Sequence, residues 1–128
     1  MTNNLETMKK AVEKAREEYR KAVQYKISEI IFNGLSCINI ENGSYYVEMK
    51  TENELLIATD VEVAKNDELV KQVETILNTV ANDIWSALRE IDEWNSVEFH
   101  LYCDNVISYN IEVDGMQFEY KIFNRYNK

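Results

Sequence analysis

At 128 residues, 45% hydrophobic and 29% charged, the chain has the size and composition of one globular domain, enough to bury roughly two-thirds of its unfolded surface. No apolar run approaches the ~20 residues that span a bilayer, and residues 1–10 lack the apolar core of a secretory signal, so no membrane role and a cytoplasmic location are expected. The net charge of −9 is uneven: residues 1–30 hold seven Lys/Arg against five Asp/Glu, and residues 31–128 hold seven against eighteen. A body this acidic repels phosphate backbones, which argues against direct nucleic-acid binding and favours attraction to basic protein surfaces.

In chain order, Asn3 and Glu6 suggest a capping box. Leu5, Met8, Val12, Ala15, Tyr19, Ala22, Val23, Ile27, Ile30 and Ile31 then recur at helical spacing, and Asn33-Gly34 supplies a stop. This predicts a long amphipathic helix over residues 1–33. At about 1.5 Å per residue, roughly 29 residues of it would span roughly 43 Å, more than the width of such a domain. Its first turns are therefore expected to overhang or to meet a partner, a homodimer through residues 5–31 being one such arrangement.

Three strands are expected over residues 35–63, at 35–41, 44–50 and 55–63. Asn42-Gly43 is a strong type I′ hairpin signal between the first two, pairing Ile40 with Tyr45 and Ile38 with Val47. A central helix over 67–93, capped by Asn66 or Asp67, follows from Leu69, Val73, Ile76, Leu77, Val80, Ile84, Trp85, Leu88 and Ile91. Residues 97–123 read as a three-stranded meander. A two-residue turn at Asp114-Gly115 sets Val113 against Met116, Ile111 against Phe118, Tyr109 against Tyr120 and Ile107 against Ile122. An odd loop at 104–106 would pair Cys103 with Ile107, Leu101 with Tyr109 and Phe99 with Ile111. The order α-β-β-β-α-β-β-β describes a single α+β domain, with antiparallel meander sheets packed on two long helices.

Little in this pattern suits catalysis. Cys37 and Cys103 sit in strand-like runs and read as reduced core thiols. His100 alternates with Phe99 and Leu101, which puts it on the opposite face from Cys103. No spacing suits zinc or calcium, and three glycines, all at turns, form no phosphate-cradling loop. Asp104 with Glu119 and Lys121 is similar to the Asp…Glu-x-Lys pattern of metal-dependent nucleases. Glu48-Met49-Lys50 repeats the Glu-x-Lys step through simple alternation, however, and the acidic surroundings would repel a polyanionic substrate. No enzyme, cofactor or metal is expected.

The sheet face turned away from the helices is the candidate site. Tyr46, Glu48, Glu98, His100, Tyr102, Glu112 and Glu119 should project there, interleaving carboxylates with tyrosine. Glu52, Glu54, Asp60 and Glu62 add a second acidic group, expected with Asp67 and Glu68 around the entry to the central helix. In size, acidity and element order the chain resembles small bacterial immunity proteins and phage anti-defence proteins. The acidic surface itself points to a non-enzymatic inhibitor or binding protein that occludes the basic, nucleic-acid-binding surface of a nuclease or toxin by charge complementarity. Two other readings are a small-molecule binder with a pocket between helix and sheet lined by Trp85, Trp94 and tyrosines, and an assembly protein pairing through the first helix.

Overall fold

A computed structural model describes residues 2–38, 45–62, 65–101 and 106–126. In order these form α1 (Thr2–Leu35), β1 (Tyr45–Thr51), β2 (Glu54–Thr59), α2 (Asp67–Leu88), β3 (Ser96–Leu101), β4 (Val106–Val113) and β5 (Met116–Tyr126). The class is α+β, with one five-stranded sheet ordered β1-β2-β5-β4-β3.

The sheet is mixed, which corrects the expected antiparallel meander: β2 and β5 run parallel, Leu55 opposite Ile122 and Ile57 opposite Asn124. The physical reason lies in β2. Leu55, Leu56, Ile57, Ala58 and Thr59 are all buried, so both faces of this strand need cover and it takes an interior place between β1 and β5. The element order is corrected as well. Leu35 is the last residue of α1 rather than the first of a strand, and Ser36, Cys37 and Ile38 form a turn closed by backbone bonds to Phe32, Gly34 and Leu35. Residues 39–41 and the Asn42-Gly43 hairpin lie outside the described residues. β2 ends at Thr59, whose hydroxyl accepts from the Val61 N–H at 3.0 Å.

Gly34 does not end α1. It lies inside the helix, packed so closely on Val80 of α2 that a Cβ there would collide with the valine side chain. Glycine here permits close helix approach. Cys37 is exposed on the following turn, a correction to its reading as a core thiol, while Cys103 lies outside the described residues.

α2 begins as expected, Asn66 accepting from the Leu69 N–H at 3.1 Å with Asp67 and Glu68 in the first turn. It stops at Leu88, short of 93, because Asp92 captures backbone donors beyond the helix. Its carboxylate accepts from the N–H groups of Trp94 and Asp114, each at 2.9 Å. Asp114 and Gly115 both have positive φ (50° and 75°), as a type I′ turn requires, and the β4–β5 register matches every expected pair. The β3–β4 register keeps the expected faces but slides by two residues: Leu101 pairs with Ile107, Phe99 with Tyr109 and Val97 with Ile111. Residues 102–105 lie outside the described residues.

One core joins these elements. Val23, Ile27, Ile31 and Leu35 of α1 and Leu69, Val73, Leu77, Val80, Ile84 and Leu88 of α2 pack on Leu55, Ile57, Ile107, Tyr109, Ile111, Phe118, Tyr120 and Ile122. Both helices therefore cover the same face of the sheet. Two fully buried tyrosines tie the layers together: Tyr109 donates to the Leu77 carbonyl and Tyr120 to the Gln24 carbonyl, each at 2.7 Å. Burial pushes the Tyr120 hydroxyl up to about 12, and that of Tyr109 higher still, which keeps both as donors.

Candidate functional site: the open face of the sheet

Strand alternation sends the other set of side chains away from the helices. Cross-strand register arranges them in rows. Glu98, Asn110 and Glu119 form one; His100, Ser108, Lys121 and Glu54 form the next; Glu48, Leu56, Phe123 and Val106 form a third. Strands are ~4.8 Å apart, so Glu98 and Glu119, on either side of Asn110, have backbones about 10 Å apart. Glu112 lies two residues along β4 from Asn110 on the same face. Glu98, Asn110, Glu112 and Glu119 also line a concavity of about 630 Å³ at the margin of the sheet, together with Arg20 of α1, Gln117, and Ile111 and Phe118 of the helix-covered face.

Of the candidate residues, the fold brings together Glu98, Glu112 and Glu119, with His100 one row away on β3. Tyr46 and Glu48 lie on β1, at the far edge of the same face. Tyr102 lies outside the described residues. The second acidic group is divided. Glu52 and Glu54 stand at the start of β2, whereas Asp60 and Glu62 follow its end, roughly 20 Å away along the strand and beside Asp67 and Glu68 of α2. The expected single group around the entry to the central helix is therefore corrected: the length of β2 separates its two halves.

Ion pairing leaves much of this charge open. Glu119 meets Lys121 at 3.7 Å and Glu62 meets Lys65 at 3.3 Å, both exposed, whereas Glu48, Glu98 and Glu112 form no ion pair among the described residues. Exposed pairs of this kind contribute little. The Glu119–Lys121 contact also accounts for the Glu-x-Lys step as a same-face neighbour pair. Among the described residues, no group of three or more His, Cys, Asp or Glu side chains is placed to hold a metal.

The pocket-lining role read for the tryptophans does not match their positions. Trp94 is 89% exposed on the α2–β3 turn and Trp85 is 40% exposed on α2, with the Arg89 guanidinium 4.8 Å over its ring. Sequence reasoning missed Arg20. It reaches from α1 to the sheet, donating to the Gln117 carbonyl at 2.9 Å and lying 4.5 Å over the Phe118 ring. Helical phase carries no sign of that contact, because Arg20 sits among five other basic residues on the same exposed stretch.

Two helices thus lie on one side of a mixed five-stranded sheet, and the other side carries Glu48, Glu98, Glu112 and Glu119 beside Lys121 and an apolar row of Leu56, Phe123 and Val106. Comparison with protein-family models finds no match, and comparisons with curated proteins and with solved structures find none either. Among the described residues, no helix is long and apolar enough to cross a membrane.

Proposed function

We propose that the protein is a non-enzymatic cytoplasmic inhibitor whose open sheet face covers a basic surface of a partner protein, such as the nucleic-acid channel of a nuclease or toxin. The observation that carries this reading is the grouping of Glu98, Glu112 and Glu119 around a shallow, exposed concavity, two of the three without an ion-pair partner among the described residues. Shape and charge act together here. A shallow acidic face offers little enclosure to a small molecule, but it suits a broad basic surface, and its field accelerates encounter with cationic patches. The remaining charge of residues 31–128 extends that field. Relief of a toxin and evasion of a defence nuclease use the same physics.

The test is binding of the full chain to a panel of basic nucleases across a salt series. Affinity should fall steeply with salt, and Glu98→Lys with Glu112→Lys should lower the association rate at low salt by about tenfold or more. Both residues are exposed, so the fold should be retained. Binding unchanged by salt and by both reversals would reject the reading.

A further inference from the structure

We infer that the amino-terminal half of α1 is a self-association arm, pairing antiparallel with the same segment of a second copy of the chain. This goes beyond the acidic-face reading and uses a different surface. The starting observation is a change of face along the helix. Residues 4–22 are all exposed, and burial begins at Val23. Leu5, Met8, Val12, Ala15, Tyr19 and Ala22 follow a 3-4-3-4 spacing, whereas the core contacts Val23, Ile27, Ile31 and Leu35 are spaced by fours. At 100° per residue the exposed seam is turned about a third of a turn from the buried one. When α1 packs on its own sheet, Leu5, Met8 and Val12 are therefore left facing elsewhere, while Tyr19 near the end of the seam donates to Asp114 of its own chain at 3.5 Å. Leu5, Met8 and Val12 are each more than half exposed, with Met8 at 65%.

Alternating steps of three and four are the spacing of a helix–helix seam. In the antiparallel register centred between Glu13 and Lys14, large residues meet small or flexible ones: Leu5 meets Ala22 of the partner subunit, Met8 meets Tyr19 of the partner subunit, and Val12 meets Ala15 of the partner subunit. Parallel pairing would instead stack Tyr19 on itself and force the two globular bodies together at the same end.

Charge selects the same arrangement. The first turns of the arm carry Lys9 and Lys10. Antiparallel pairing lays them along the foot of the other copy, where Glu90, Asp92 and Glu93 occupy the α2–β3 turn and Asp114 lies hydrogen-bonded to Asp92 and Tyr19. Trp94 stands fully exposed at that foot, offering apolar cover to the incoming helix end. One contact opposes the arrangement: Lys9 flanks the seam opposite Arg16 of the partner subunit. Glu13, four residues after Lys9 and three before Arg16, offsets that repulsion within each helix. The seam covers fewer than the three to four heptads of a sustained coiled coil, so association is expected to be weak and concentration-dependent.

Analytical ultracentrifugation of the full chain, from low micromolar to submillimolar concentration, should show the mass rising from one chain to two. Met8→Glu with Val12→Glu should weaken self-association at least about tenfold while leaving the melting temperature of the single chain unchanged, since both sites are exposed. In a Cys37→Ser/Cys103→Ser background, Val12→Cys with Ala15→Cys should oxidise to a covalent dimer, and Val12→Cys alone should not. A mass of one chain at every concentration overturns the inference, and so does self-association that survives the two glutamates. Efficient cross-linking of the single Val12→Cys variant overturns the antiparallel geometry. Mass is read without any nuclease present, so failure here is separable from failure of the acidic-face reading.

Discussion

The Asp92 carboxylate holds two backbone N–H groups from different segments, Asp114 first and Trp94 second, and these bonds keep its pKa below the ordinary carboxylate value. The group thereby fastens the end of α2 to the β4–β5 turn. Because the folded pKa lies below the unfolded value of ~3.9, the stabilisation is complete above that value and is lost as pH falls through the folded one. Asp92→Asn should lower the melting temperature at neutral pH, and thermal melts should show the gap to the parent closing as pH drops below about 4. At this scale sequence reading had mixed success. Asn66 and the Asp114-Gly115 turn were legible because each uses its own side chain or backbone freedom within a few residues. The double role of Asp92 was hidden, since one of its two donors lies 22 residues away.

At the scale of elements, the contact between α1 and α2 depends on Gly34, which looked like a helix stop in sequence. Gly34→Ala gains helix propensity of up to ~1 kcal/mol but drives a methyl group into Val80, a stiff, buried neighbour. Overpacking of this kind costs typically ~1–3 kcal/mol, so denaturant melts should show net destabilisation of about 1–2 kcal/mol. Adding Val80→Ala should cost less in the Gly34→Ala background than alone, a coupling that a double-mutant cycle reads directly. A glycine near a helix end carries one signal for two physical causes, and only the facing side chain distinguishes them. The parallel pairing of β2 did leave a trace in the sequence. Leu55-Leu56-Ile57-Ala58 is an unbroken apolar run, the mark of a strand covered on both faces, but hairpin-linked neighbours made a meander the simpler reading. The β4–β5 register was legible residue by residue because a two-residue turn leaves no freedom. The β3–β4 register was legible only in parity, because face alternation tolerates any even slide.

For the molecule as a whole, acidity is the dominant long-range property, and the surface pairs Lys21–Glu17, Lys65–Glu62 and Lys121–Glu119 answer only a small part of it. Self-repulsion then opposes the compact state, and salt should relieve it. Raising ionic strength from ~0.01 M to ~0.3 M, which shortens the screening length from ~30 Å to well under 10 Å, should raise the melting temperature by a few degrees. A fall over that range would mean that attractive pairs dominate instead. The separation of a mildly basic arm from an acidic body was legible by counting charges along the chain. Which carboxylates become neighbours was not, because the rows of the open face are set by pairing across strands far apart in sequence.

The sheet order has a consequence for assembly. β5 is the last of the five strands in chain order, yet it stands in the middle, between β2 and β4. Until it arrives, β1–β2 and β3–β4 are two separate ribbons, and β2 shows water an apolar flank that only β5 will seal. A nascent chain must therefore keep an adhesive edge waiting for its keystone, and chaperone demand should be greatest in that interval.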